Sequence, residues 1–166
     1  ITVLAQAPGS VREGMWEDLL EYETRDGFGF VLKGRINEVG YKSVAVPGSV
    51  RGFHHAHQKY GKLPWKDMLA LAIAMAENGY RVQNFEFFYR MSDDSLGRVL
   101  TNDKLKHTPD CARLFYEKDG TQRRPGSFVQ NPDLARTLRA IAEGGPDAFY
   151  VGEIGQRIAE DFKKND

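Results

Sequence analysis

The chain has 166 residues, 41% hydrophobic and 28% charged, and its 23 Lys+Arg balance 23 Asp+Glu to a net charge of zero. That length suits one domain able to build a core without disulfides or metal. The balance excludes a broad electrostatic attraction to nucleic acid or anionic lipid, and no apolar run approaches the roughly 20 residues of a membrane span. The single cysteine, Cys111, excludes an internal disulfide framework and a multi-thiolate metal cluster. The chain opens on Ile1-Thr2-Val3-Leu4 with no Met and no signal peptide, so Ile1 is not expected to be a genetic N-terminus.

Residues 1–8 read as a short strand stopped by Pro8. Ser10 stands three before Glu13, a capping-box spacing. Val11, Met15, Leu19 and Tyr22 then recur at helical intervals, so a helix is expected over about 11–23, ending near Asp26-Gly27. The stretch 27–46 mixes Gly27, Gly29, Gly34 and Gly40 with hydrophobics. Phe28 to Leu32 is expected to be extended or irregular, and Ser43 to Val46 extended. Pro47-Gly48-Ser49 opens a helix that carries Val50, Phe53, His54, His57 and Tyr60 and stops at Gly61.

Leu63-Pro64-Trp65 begins another helix, ended by Asn78-Gly79. Its stripe Met68, Leu69, Ala72, Ile73 and Ala76 is flanked by Ala70, Ala74 and Met75, so burial on most sides is expected. Residues 83–116 look helical in pieces, with a fresh start at Pro109-Asp110. Residues 117–121 form a turn, 123–127 a loop, and Phe128-Val129 an extended pair. Asn131-Pro132-Asp133 starts a helix with Leu134, Leu138, Ile141 and Ala142 inside, ended by Gly144-Gly145. Pro146 opens the last helix, with Phe149, Ile154, Ile158 and Phe162 inward. The expected architecture is α+β: one helix-rich unit over 1–166 with a few short extended pieces and no linker or repeat.

Several groups invite a chemical role. His54 and His57 lie one helical turn apart, with His55 between them. No Asp or Glu stands at neighbouring turns, Arg51 and Lys59 add positive charge, and the only other histidine is His107, so a packed or hydrated helix face is favoured over a metal site. Cys111 follows His107 by four residues, but Pro109 interrupts a common helical face, and a lone cysteine is more often a small buried hydrophobe. Asp93-Asp94-Ser95 looks like a capping turn. Arg123-Arg124 could clamp a carboxylate or phosphate but sits in a Pro/Gly loop suited to solvation. Phe85, Phe87, Phe88 and Tyr89 read as core rather than as a base-stacking platform. The residues themselves assign no catalytic group, no metal ligand and no substrate-binding set.

Two segments carry a resemblance. One runs from Val46-Pro47-Gly48-Ser49-Val50-Arg51-Gly52-Phe53 through Lys59-Tyr60-Gly61-Lys62-Leu63-Pro64-Trp65 to Ala72-Ile73-Ala74-Met75-Ala76-Glu77-Asn78-Gly79-Tyr80-Arg81-Val82. The other runs from Asn131-Pro132-Asp133-Leu134-Ala135 through Ile141-Ala142-Glu143-Gly144-Gly145-Pro146-Asp147-Ala148-Phe149-Tyr150 to Gly152-Glu153-Ile154. Both resemble the gamma-glutamyltranspeptidase family, in matching order over roughly 44–165. Gly126-Ser127 stands where that family usually has Gly-Asp/Glu.

The resemblance implies an N-terminal nucleophile hydrolase with a four-layer αββα core, of which this chain matches the middle of the large subunit. It implies a precursor that cleaves itself, and a small subunit whose new N-terminal Thr is the nucleophile and whose own amine is the base. It also implies an oxyanion hole in that small subunit and no metal or organic cofactor. The expected partners are that small subunit, the remaining large-subunit segments and a small-molecule amide substrate. Thr101, Thr108, Thr121 and Thr137 are internal and cannot offer a free amine, so the chain alone is expected to be inactive. Family members carry an Arg shortly before an Ala-Pro pair, which binds the donor carboxylate. Here Ala7-Pro8 follows Leu4-Ala5-Gln6, and Arg12 lies downstream, so an amidase or acylase preference is also open. A third possibility is a non-catalytic helical interaction module.

Overall fold

The computed structural model describes residues 5–24, 27, 29–91 and 97–165. In chain order the elements are β1 (Leu20–Glu23), β2 (Phe30–Leu32), α1 (Ser49–Tyr60), α2 (Trp65–Asn78), β3 (Tyr80–Arg81), α3 (Asn84–Met91), α4 (Thr101–Lys106), α5 (Pro109–Phe115), β4 (Phe128–Val129), α6 (Pro132–Tyr150) and α7 (Glu153–Asn165). They divide into two compact units. The first holds residues up to 8, 45–80 and from 130 onward; the second holds 9–44 and 81–129.

The first unit is built on α6. Helix α2 packs along it, and α1 and α7 also pack against it. Ala135 and Ile141 of α6 and Ala76 of α2 are buried, and Leu69, Leu138 and Ile73 are half-buried. The start of α6 is fixed twice. The Asn131 side chain accepts the Leu134 N–H at 3.0 Å, and the Asn131 N–H donates to the Ala76 carbonyl at 2.9 Å. Pro132 fits the first turn, where its missing N–H has no intrahelical partner to lose. Gly145 breaks the helix at φ 65°, as the Gly-Gly pair suggested, and Pro146 opens a second limb. That limb ends at Tyr150 and α7 begins at Glu153, so the last expected helix is split by Val151-Gly152. Gln6 bridges Val46 in an antiparallel pair; of the expected strand over 1–8, residues 1–4 lie outside the described residues.

Helix α2 corrects the expectation of burial on most sides. Only Ala76 is buried, and Met68, Leu71 and Met75 are exposed. One face meets α6; nothing among the described residues covers the other.

The second unit opens with another correction. In place of a helix over 11–23, a turn and a short 3-10 segment (Glu17–Leu19) lead into β1. Gly14 takes φ +72°, which breaks helical geometry near its start. Leu20-Glu21-Tyr22-Glu23 also alternates apolar and acidic residues, the strand period, and finds a local antiparallel partner in Phe30–Leu32. Ser10 and Glu13 therefore cap no helix. Thr24 closes the pair: its N–H and hydroxyl both donate to the Gly29 carbonyl, at 2.8 and 2.9 Å. Val31 and Leu32 turn into the core.

Glu38 ties distant parts of this unit together. It accepts the Val99 N–H at 2.6 Å and meets Arg35 at 3.2 Å, while Arg35 also donates to the Gly97 carbonyl at 2.5 Å. Helix α5 is capped by Thr108, with Pro109 in its first turn, matching the expected fresh start. Val82 and Val129 are buried, and Val82 donates its N–H to the Ser127 carbonyl and accepts the Gly126 N–H, both at 2.9 Å.

Helix α3 is turned opposite to expectation. Phe85 is 78% exposed, and Phe88 and Tyr89 are exposed with it. The buried residue is Arg90, paired with Glu86 and lying 4.2 Å from the Phe115 ring centroid. The Glu86 carboxylate and the Phe115 ring offset the cost of taking the Arg90 guanidinium out of water, and helical geometry then points Phe85, Phe88 and Tyr89 outward while Phe87 is half-buried.

Candidate functional site

The two histidines singled out by spacing do come together, around an indole. His54 and His57 project from successive turns of α1 and meet Trp65 edge-on, with ring centroids 4.9 and 5.4 Å away. His57 Nε2 lies 2.8 Å from the Leu63 carbonyl; a carbonyl only accepts, so that nitrogen carries the proton. Trp65 Nε1–H in turn donates to the Ile141 carbonyl at 3.0 Å. Gly61 passes so close to the His57 ring and carbonyl that a Cβ there would collide. These imidazoles seat Trp65 between α1 and α6 and are committed to packing. Among the described residues no group of three or more His, Cys, Asp or Glu is placed to hold a metal ion.

The same helix pair is fixed again one turn earlier. Arg51 pairs with Asp147 at 3.3 Å and stacks 4.8 Å from the Tyr150 centroid, and its backbone N–H donates to the Tyr150 hydroxyl at 3.3 Å. Sequence reading gave Arg51 only a repulsive role beside the histidines. Its partners lie 96 and 99 residues away, and no local spacing signals them.

In the second unit an open cleft of about 950 Å³ lies along α5, lined by Lys106, Arg113, Tyr116, Glu117, Asp119 and Arg123 among others. Several of its polar groups are engaged. The Lys106 ammonium sits 4.9 Å from the Tyr116 centroid. The Tyr116 hydroxyl donates to Asn102, at 2.7 Å to its carbonyl. Burial, with the nearby Asp103 charge, raises the pKa of that phenol, and Arg90 opposes the shift. The Thr121 hydroxyl and N–H both donate to Asp119 and hold its carboxyl below the usual range.

The remaining candidates separate. Arg123 is spent inside, on Glu117 and the Phe128 carbonyl, both at 3.3 Å, while Arg124 is exposed, so the pair forms no clamp. Cys111 is half-buried and gives its N–H to the Thr108 cap; the His107 ring lies beside Gly40, and no hydrogen bond joins the two among the described residues. Thr137 donates to the Asp133 carbonyl within α6, and Thr101 opens α4. Asp93-Asp94-Ser95 and Leu4 lie outside the described residues. The arrangement can hold helices in register; among the described residues it assembles no nucleophile with a base. No helix among the described residues is long and apolar enough to cross a membrane.

Comparison with known proteins gives this geometry its context. A family model described as gamma-glutamyltranspeptidase matches residues 5–166. A glutathione hydrolase proenzyme from Pseudomonas aeruginosa is 35% identical over 127 residues, covering 76% of this chain and 20% of that protein. The crystal structure of Helicobacter pylori gamma-glutamyltranspeptidase superposes with a TM-score of 0.77 at 25% identity, over 98% of this chain and 42% of that one. A cephalosporin acylase from Bacillus halodurans gives a TM-score of 0.68 at 26% identity, over 96% of this chain and 27% of that one. The chain thus spans about a fifth of the length of the curated relative it matches. Its α+β, helix-rich fold is that of the corresponding part of these N-terminal nucleophile hydrolases.

Proposed function

The chain belongs to the gamma-glutamyltranspeptidase family, and from that premise we propose that residues 1–166 serve as one partial large-subunit segment of an enzyme that cleaves an amide bond and passes the acyl group to water or an amine. The observation that carries this reading is the family match over residues 5–166, which includes residues of both units. Its chemistry is that of an N-terminal threonine supplied by the small subunit. The hydroxyl gives its proton to the threonine's own amine and attacks the amide carbonyl. The tetrahedral intermediate collapses to an ester as the amine departs, and water or a second amine then takes the acyl group. This segment contributes scaffold rather than reacting atoms: His54, His57, Arg51 and Arg123 are committed to internal contacts.

A second reading concerns the acyl group. The likeness to a cephalosporin acylase, with no arginine in Leu4-Ala5-Gln6 ahead of Ala7-Pro8, supports an acylase or amidase preference beside the gamma-glutamyl one. The test is turnover of a gamma-glutamyl anilide and of a glutaryl amide by the complete protein and by residues 1–166 alone. The expected result is hydrolysis of at least one substrate by the complete protein and none by the segment. Turnover by the segment alone would overturn the scaffold role. A folded complete protein that cleaves no amide would leave the helical interaction module as the better reading.

A further inference from the structure

We propose that the cleft along α5 binds a small, doubly charged oxyanion, carried as a phosphate or as a dicarboxylate. The charge pattern of the chain singles out this segment. Residues 97–124 hold seven Lys or Arg against four Asp or Glu, in a chain that is neutral overall. The cleft, about 950 Å³, is lined from within that segment. Four cationic side chains line it, Lys106, Arg113, Lys118 and Arg123, against two carboxylates, Glu117 and Asp119. Both carboxylates are tied to neighbours: Glu117 to Arg123 at 3.3 Å, and Asp119 to the Thr121 hydroxyl and N–H. Lys106, Arg113 and Lys118 are left to set the character of the cleft. Among the described residues Lys106 and Lys118 form no ion pair. Arg113 reaches Asp110 at 3.7 Å, with both side chains more than half exposed. Such a pair is worth little in water, so an incoming oxyanion can compete with Asp110 for the guanidinium.

The walls of the cleft are preformed. Tyr116 is the buried member of its lining, 6% exposed, with its hydroxyl fixed on Asn102. The turn after α5 is closed by the Tyr116–Gln122 bridge, by the Glu117 N–H on the Thr121 carbonyl at 2.8 Å and by the Gly120 N–H on the Glu117 carbonyl at 3.0 Å. The Lys106 ammonium already rests 4.9 Å from the Tyr116 ring centroid, so it loses less freedom when a ligand arrives. Pro109 and Ala112 add uncharged lining that suits a short carbon skeleton. Charge and size then set the ligand class. The surplus of two positive charges in the lining matches a dianion, whereas a monoanion leaves one unmet. A long polyanion needs a continuous basic track, but these cations gather in one cleft.

The test is calorimetric titration of the complete protein with inorganic phosphate and, separately, with glutarate, at low salt so that screening is weak. Saturable binding of at least one anion is expected. The double change Arg113→Gln with Lys118→Gln should weaken it by at least about tenfold, and Lys106→Gln alone by about threefold. Arg157→Gln with Lys164→Gln removes the same charge from the groove beside α7 and should leave binding unchanged. Binding of phosphate alone supports the site and assigns a phosphorylated ligand; binding of glutarate alone supports it and assigns a dicarboxylate. No saturable binding of either anion overturns the proposal. Equal weakening by the two double variants also overturns it, by showing a general attraction of charge. Full binding by the Arg113→Gln, Lys118→Gln protein places the anion elsewhere and overturns it as well. Amide turnover is read in parallel. A protein that cleaves nothing yet binds the anion through these residues loses only the enzymatic reading.

Discussion

Helices α2 and α3 follow each other in sequence and treat their apolar side chains in opposite ways. Helix α2 has aliphatic residues on both faces and commits one of them to α6, leaving Leu71 and its neighbours in solvent. Helix α3 turns an ion pair inward, Glu86 with Arg90, and sends Phe85, Phe88 and Tyr89 out. Periodicity locates a stripe; it does not say which stripe meets a neighbour. In α2 the neighbour is apolar and the choice costs nothing polar. In α3 the choice works because the guanidinium has both a carboxylate and the Phe115 ring beside it.

The sharpest way to break this contrast is to remove one charge from α3. Glu86→Ala leaves Arg90 buried without its carboxylate and should cost about 3–5 kcal/mol in denaturant unfolding. Replacing both residues by leucine should recover most of that loss. A Glu86→Ala cost below about 1 kcal/mol would instead mean that Arg90 is held mainly by its ring contact.

On the α2 side the corresponding change is Ile141→Ala in the α6 face beneath it. A nearly fully buried isoleucine truncated to alanine should cost about 3 kcal/mol, read from the unfolding midpoint. Asn131→Ala removes the side-chain cap at the start of α6 and leaves the backbone bond from Asn131 to Ala76 in place, and about 1 kcal/mol is expected.

The smallest effect is alkaline and belongs to the second unit. The unfolded chain releases the Tyr116 proton near about pH 10, earlier than the folded chain does. Between those two values the native state holds more protons, so stability falls as pH rises. In Tyr116→Phe that share of the alkaline decline should be missing, although the mutant starts lower by the lost Asn102 hydrogen bond, about 1 kcal/mol. An unchanged slope would mean that the phenol titrates as it does in the unfolded chain.

What was legible in the sequence was mainly local punctuation. Thr108-Pro109, Asn131-Pro132, Gly61, Gly79 and Gly145 mark ends or kinks through backbone geometry, and each does so in the structure. What was hidden depends on partners distant in the chain. The stretch 11–23 carries a helical period while its last four residues also carry a strand period, and Gly14 and the nearby Phe30–Leu32 decide between them. His54 and His57 were correctly placed on one face, but their partner is Trp65, whose own anchor at Ile141 is 76 residues away. Arg90 could not be recognised as buried from helix α3 alone, because Phe115 belongs to another element.

The most direct test of the account is an intact mass of the complete gene product after purification and denaturation. The account predicts two polypeptides, the larger containing residues 1–166 and the smaller beginning with threonine. One uncleaved polypeptide, folded and unable to hydrolyse an amide, would contradict it.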